Sequence, residues 1–303
     1  MARTVPRLGS LVPRSVQRRR RWRTASDAQK DFFRLAREYT PYVAAELRGN
    51  LLLVATADDT HEATFLENPK EHRLLTRVLE GLQGAGIDVL GKTFVDVGAN
   101  NGTASFAALA AGFSRVVACE PGADAYRLLR ANLALNDAED VVTAVNAALS
   151  STSGVGHMDL TRGSRKGYLF ESSGPDRHRR SQEVRLARLD DLVDEGLLDP
   201  NEVGLLWMDV EGHESHVLLG ATRVLSVEPP PPVVLELHPK RLRQSGTVDT
   251  IVELLPRYFT HFLELRAKFD RPSFTPIEAL GDLVGEVEER WAATDLLVCR
   301  LPR

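Results

Sequence analysis

Phe94-Val95-Asp96-Val97-Gly98-Ala99-Asn100-Asn101-Gly102 reads as a strand, a glycine turn and the entry to a helix. Thr93–Val97 is β-branched and apolar enough for a parallel strand buried on both faces, and the small residues after Gly98 allow a sharp turn into a helix over 103–111. In doubly wound sheets such a turn lets the backbone approach a ligand closely, because glycine accepts positive φ and has no side chain in the way. The helix N-terminus behind it offers free N–H groups to a carboxylate or phosphate. A second apolar run, 115–119, ends in Glu120, where an acid at a strand tip can take both ribose hydroxyls of a nucleoside.

Charge decides which nucleoside. The order Gly98-Ala99-Asn100-Asn101-Gly102 lacks the dinucleotide pattern G-x-G-x-x-G, and no Gly-Lys-Ser/Thr phosphate loop is present. Asp96 puts a negative charge at the strand end, which repels a pyrophosphate but attracts the ammonium or sulfonium of S-adenosylmethionine. The carboxylate of that donor can then face the helix N-terminus. A glycine turn alone is equally a tight βα connection; Asp96 and Glu120 beside it are what point to a ligand.

The 303-residue chain has the composition of an ordinary globular protein and a formal net charge of −4, so its charge balance does not call for nucleic acid. Arg18–Arg21 and Arg23 form one short basic cluster, expected to be a solvated tail over 1–26. No apolar stretch is long enough to span a bilayer and no signal-peptide core follows the arginines, which predicts a cytoplasmic protein. Cys119 and Cys299 lie in apolar, strand-like runs and predict buried thiols, neither a disulfide nor a zinc site.

Helical spacing over 27–47 and 71–81 predicts an N-terminal helical extension over 27–89, ahead of a domain over 90–303. Strands are expected at 93–97, 115–119, 141–146, 204–209, 233–237, 259–265 and 295–301, with helices between most of them. The sum is an α/β fold: a mostly parallel seven-stranded sheet, helices on both faces and a probable antiparallel edge. Residues 154–182, rich in Gly, Ser, Arg and Lys, read as an inserted hairpin or loop, followed by a strand over 184–189. A single helix is expected over 214–226.

Asp96-Val-Gly-Ala-Asn-Asn-Gly102, Glu120-Pro121, Asn146-Ala147-Ala148, Leu189-Asp190-Asp191, Trp207-Met-Asp-Val-Glu-Gly-His-Glu214 and Leu235-Glu-Leu-His-Pro239, in that order, resemble the FkbM family of S-adenosylmethionine-dependent methyltransferases. The resemblance spans about residues 90–240, and its most specific element is Asp209-Val-Glu-Gly-His-Glu214 with the upstream Leu-Asp-Asp. It implies a Rossmann-like class I methyltransferase fold and, from the family's assigned members, O-methylation of natural-product or sugar hydroxyls. Position by position it implies that Asp96, Gly98, Asn100 and Gly102 hold the donor's amino-acid end, that Glu120 binds the ribose, and that Asn146 contacts adenine. Independently, an amide at a strand end serves an adenine edge or caps a turn equally well.

Asp209, Glu211, His213, Glu214, Glu236 and His238 fall at the carboxyl ends of two neighbouring strands, which converge on the ligand crevice of an open α/β sheet. Methyl transfer to an aliphatic hydroxyl needs alignment and a base; general bases contribute about 10²- to 10⁴-fold, and Asp209, His238 and His213 are the candidates. The plainer alternatives are that His213 and Glu214 complement a helix dipole and that Asp209 caps the turn. Asp209, Glu211, Glu236 and His238 would also suit Mg²⁺, which takes oxygen ligands, although their spacing does not demand it. The expected acceptor is a small-molecule or glycosyl hydroxyl; the competing expectations are methylation of RNA or protein, and a non-catalytic cofactor-binding scaffold. No N/D-P-P-Y/F tetrad for planar amines is present. A homo-oligomer stays open.

Overall fold

The computed structural model describes residues 25–47, 49–55, 70–159, 168–170, 181–265, 273–290 and 293–302. The basic cluster at 18–23 lies outside them. In chain order the elements are α1 (Ala25–Ala36), β1 (Tyr42–Leu47), β2 (Asn50–Ala55), α2 (Lys70–Gly84), β3 (Thr93–Val97), α3 (Thr103–Ala111), β4 (Arg115–Cys119), α4 (Ala123–Leu135), β5 (Val142–Val145), β6 (Ala148–Leu149), β7 (Gly154–Asp159) and β8 (Tyr168–Phe170). They continue with β9 (Ser181–Ala187), α5 (Leu189–Asp194), β10 (Val203–Met208), α6 (Glu214–Leu219), α7 (Thr222–Leu225), β11 (Val233–Leu237), α8 (Pro239–Gln244), α9 (Val248–Tyr258), β12 (His261–Glu264), β13 (Thr275–Pro276), α10 (Leu280–Arg290) and β14 (Thr294–Cys299).

The central sheet runs β13-β12-β14-β11-β10-β3-β4-β5. The five strands from β11 to the edge strand β5 are parallel, while β14, β12 and β13 are antiparallel to their neighbours. All seven expected strands are present, and the two-residue β13 adds an eighth at the edge. From β3 the chain builds outward through β4 and β5, then returns to lay β10 against the other side of β3. That reversal opens a crevice at the carboxyl ends of β3 and β10, the usual ligand position in an open α/β sheet.

Alternation assigns the two faces. Phe94, Val116, Ala118, Leu205, Trp207, Val234 and Leu297 point to the layer containing α2, α3 and α4. Val95, Val97, Cys119, Leu206, Met208, Leu235 and Val298 point to the layer formed by α6 and the helices after it. Every residue of β3, β10 and β14 is buried, which is what a central strand covered on both faces requires.

The N-terminal extension differs from the expected pair of helices. α1 stops at Ala36, Pro41 disfavours helix for the residue before it, and Tyr42–Leu47 instead pairs with Asn50–Ala55 as an antiparallel hairpin. Its free edge is closed by side chains. Asn132 Oδ1 accepts from Leu53 N at 2.7 Å and Asn136 Oδ1 from Leu51 N at 2.8 Å, so one asparagine of α4 and the asparagine that caps its end imitate a partner strand. Asn132 Nδ2 also donates to Asn101 O at 2.9 Å, which ties the hairpin to the glycine turn.

The insertion folds as part of a small four-stranded sheet, β6-β9-β7-β8, with residues 160–167 and 171–180 outside the described residues. β9 ends at Ala187, two residues short of the expectation, because α5 starts at Leu189, with the Asp191 carboxylate accepting from Arg188 N at 2.9 Å. The helix expected over 214–226 is two. Gly220 lies so close to Ser150 that a Cβ there would come within 2.0 Å of its carbonyl oxygen, and α7 starts afresh on a cap from Asp190.

Candidate active site

The β3–α3 turn is built around positive φ at Gly98 (85°), Asn100 (52°) and Gly102 (94°). Gly98 N and Ala99 N both donate to Cys119 O, at 2.9 and 3.0 Å, which binds the turn to the end of β4. A Cβ on Gly98 would sit 2.2 Å from Asp209 O, so only glycine lets β3 and β10 end side by side here. Asp209 N in turn donates to Val97 O at 3.0 Å.

Glu120 clips two turns together. One carboxylate oxygen accepts from Asn100 N at 2.8 Å and the other from Gly122 N at 2.6 Å, which orients it along the turn. A carboxylate oxygen has two lone pairs and can accept more than one hydrogen bond. Asn146 donates through Nδ2 to Glu120 O at 2.8 Å and Pro121 O at 3.2 Å, so the amide fastens strand ends. Turn-capping is therefore observed, and Oδ1 is the atom left to accept from a ligand.

Asp96 is buried one residue before the turn and accepts a 2.6 Å bond from Ser105 on α3. Burial pushes its carboxyl up to about 7, against the Ser105 bond that lowers it, with Glu71, Glu120 and Asp209 adding like-charge repulsion. A cation arriving here favours the ionised form.

A crevice opens on the far side of Asp209, lined by Lys70, Glu71 and Leu74 of α2 together with Trp207, Met208, Asp209, Val234 and Asp295. Glu236 of β11 pairs with Asp295 of β14, and Asp209 directly follows the Met208–Leu235 pair at the end of β10, so the three acids gather on the face covered by α2. Lys70 lies 3.3 Å from Asp295 and 4.0 Å from Glu236. Asp209 itself is exposed.

The other strand-end residues go elsewhere. His213 Nε2 is 3.0 Å from Ser150 Oγ and its ring stacks on His216, with centroids 4.2 Å apart. Burial, then His216, pushes its imidazolium down to about 3, so it stays neutral. Glu211 pairs with Arg241. His238 caps α8 and follows β11 directly. Among the described residues no three His, Cys, Asp or Glu side chains are arranged to hold a metal ion, so the set considered for Mg²⁺ does not fit. The Leu-Asp-Asp element is architectural: Asp190 accepts from Thr222 Oγ1 at 2.6 Å and from Arg223 N at 3.0 Å.

Glu214 is fully buried, accepts from Gly212 N at 3.1 Å through one oxygen, and finds no partner for the other among the described residues. Burial above all, then Glu236 and Asp209, raises its pKa from 4.5 to about 8. The folded chain thus holds it protonated where the unfolded chain would release the proton. The stability this confers is complete below pH 4.5 and declines as pH rises through about 8. Glu214→Gln mimics the protonated form, so its stability relative to the natural protein should improve by several kcal/mol between pH 5 and pH 8.5, read from urea unfolding. A pH-independent difference would contradict a buried neutral carboxyl.

Sequence reasoning passed over Glu71, Lys70, Ser105 and Asp295. Ser105 and Asp295 sit within apolar runs, and α2 reads as an amphipathic packing helix without a motif.

The FkbM methyltransferase domain matches residues 96–271, more than half of the chain. Among curated proteins none matches. Solved structures with related folds include TYW2 of P. horikoshii in complex with MeSAdo, at 12% identity over 97% of this chain and 97% of that one, with a TM-score of 0.39. The precorrin-6y C5,15-methyltransferase of Geobacter metallireducens GS-15 shares 15% identity over 69% and 79% of the two chains, with a TM-score of 0.34. The 16S rRNA N2 G1207 methyltransferase of T. thermophilus in complex with AdoMet and guanosine shares 13% identity; the chain spans 50% of that protein's length with 86% of its own, with a TM-score of 0.42.

Proposed function

The chain belongs to the FkbM methyltransferase family, and from that premise we propose that this S-adenosylmethionine-dependent enzyme methylates a hydroxyl of a small molecule or sugar. The observation that carries the proposal is the exposed Asp209, whose backbone carbonyl lies against Gly98 of the donor turn and which also lines the acid-walled crevice. The donor, when bound, supplies a methyl group on positively charged sulfur.

The residues fit that donor. The amides of the turn are mostly engaged within it, so it is the first-turn N–H groups of α3 that face the donor's carboxylate, while Asp96 offers a counter-charge, Glu120 accepts from the ribose hydroxyls, and Asn146 Oδ1 accepts from the adenine edge. The proton of the acceptor hydroxyl passes to Asp209 as the new bond forms, with His238 the alternative base at the neighbouring strand end. His213, neutral and engaged with Ser150, serves the packing under the site instead.

The walls also argue about the acceptor. Glu71, Asp209 and Asp295 line the crevice with Lys70 as their basic neighbour and Glu236 close behind it, a field that repels phosphate backbones. Reaction with methyl-labelled donor and a fractionated metabolite extract is expected to label hydroxyl-bearing small molecules. Asp209→Asn should slow that transfer by roughly 10²- to 10⁴-fold while leaving donor binding intact. Label confined to RNA or protein would refute the proposal.

A further inference from the structure

We propose that the crevice between α2 and the ends of β10, β11 and β14 binds a protonated amine on the acceptor, making the substrate a hydroxyl compound that also carries an ammonium group, such as an amino sugar. The inference rests on the methyltransferase function and names the substrate class of its second pocket. It starts from Glu71. This side chain opens α2, lines the crevice, and its Oε2 is buried with no hydrogen-bond partner among the described residues. A buried carboxylate oxygen left unpaired costs free energy unless something occupies the space it faces.

The opposite wall has the same sign. Asp209, Glu236 and Asp295 form one row across three strands, and Asp209 and Asp295 both act on Glu71 as like charges. Burial and that repulsion together hold the Glu71 carboxyl above its ordinary range. Lys70 offsets part of the row through Asp295 and Glu236, at 3.3 and 4.0 Å. A single ammonium between Glu71 and the Asp209–Asp295 wall attracts each of these carboxylates and so offsets their mutual repulsion, and the crevice has room for such a small cationic group while the rest of the molecule stays outside it.

Position separates this pocket from the donor's. Gly98, Glu120 and Asn146 lie toward β4 and β5, whereas the crevice lies toward β11 and β14, with Asp209 at the border. An amine held by Glu71 therefore presents a neighbouring hydroxyl to Asp209 and the donor turn.

The probes are D-glucosamine and D-glucose, which differ at one substituent, titrated into the full chain at pH 7 with and without S-adenosylhomocysteine. Glucosamine is expected to bind at least ten-fold tighter than glucose. Glu71→Gln, and independently Asp295→Asn on the facing wall, should remove that preference while changing S-adenosylhomocysteine affinity less than two-fold. Equal binding of the two sugars, no binding of glucosamine, an unchanged preference in both variants, or displacement of glucosamine by Mg²⁺ would each overturn the proposal. A ten-fold loss of S-adenosylhomocysteine affinity in Glu71→Gln would also overturn it, assigning the carboxylate to the donor's ammonium. Failure of the natural protein to bind S-adenosylhomocysteine would count against the methyltransferase function and leave the sugar preference to be read on its own.

Discussion

Gly98→Ala is expected to abolish measurable binding of S-adenosylhomocysteine and to lower the stability of the folded chain. Two costs add. Holding a residue with a Cβ at φ 85° costs about 1–2 kcal/mol in strain, and the new methyl would sit 2.2 Å from the Asp209 carbonyl oxygen, a backbone atom that cannot swing aside. Relief requires β3 and β10 to separate at their ends, which breaks the 3.0 Å bond from Asp209 N to Val97 O and splays the turn that faces the donor. Gly86→Ala separates the two effects, since its φ is 73° but nothing lies within 4 Å of the added Cβ. It should cost about 1–2 kcal/mol in urea unfolding and leave binding untouched. Normal affinity in Gly98→Ala would mean that the donor does not depend on this junction.

Glu120→Gln should weaken S-adenosylhomocysteine by about 100-fold or more. The carboxylate accepts from Asn100 N and Gly122 N with its two oxygens, at 2.8 and 2.6 Å. An amide in its place turns one acceptor into a donor facing a backbone N–H, leaving a buried donor unpaired at about 1–3 kcal/mol, and it also loses an acceptor for a ribose hydroxyl. Calorimetry on the folded variant measures the loss. Because the clip joins the β3 and β4 turns, faster hydrogen exchange at Asn100 and Gly122 should accompany it. A variant that binds as tightly as the natural protein would remove Glu120 from the site.

Much of this architecture is legible in the sequence. Central strands such as Thr93–Val97 and Val203–Met208 are buried on both sides, so an uninterrupted apolar run was enough to find them. The glycine turn announces itself because positive φ favours glycine at Gly98 and Gly102, and a close backbone contact demands it at Gly98. The hairpin at Tyr42–Leu47 did not, since its alternation mimics a helical stripe over so short a span and its edge is satisfied by asparagines about 80 residues away. His213 had the right residue type at a strand end, yet a side chain one turn into the loop can point to either layer, and it points to Ser150. Glu71 was illegible because its meaning comes from Asp209 and Asp295, which only the sheet order brings near it.

The proposed donor site rests on electrostatics: an ionised Asp96 beneath the β3–α3 turn would attract a cationic amino-acid end and repel a pyrophosphate. The direct measurement is calorimetric titration of S-adenosylhomocysteine and of NAD at pH 6 and pH 8. With the Asp96 carboxyl at about 7 in the unliganded protein, binding of an ammonium requires its ionisation, so S-adenosylhomocysteine should bind about ten-fold tighter at pH 8, with Asp96→Asn erasing the difference and NAD giving no heat. Binding of NAD, or of S-adenosylhomocysteine with the opposite pH dependence, would contradict the account.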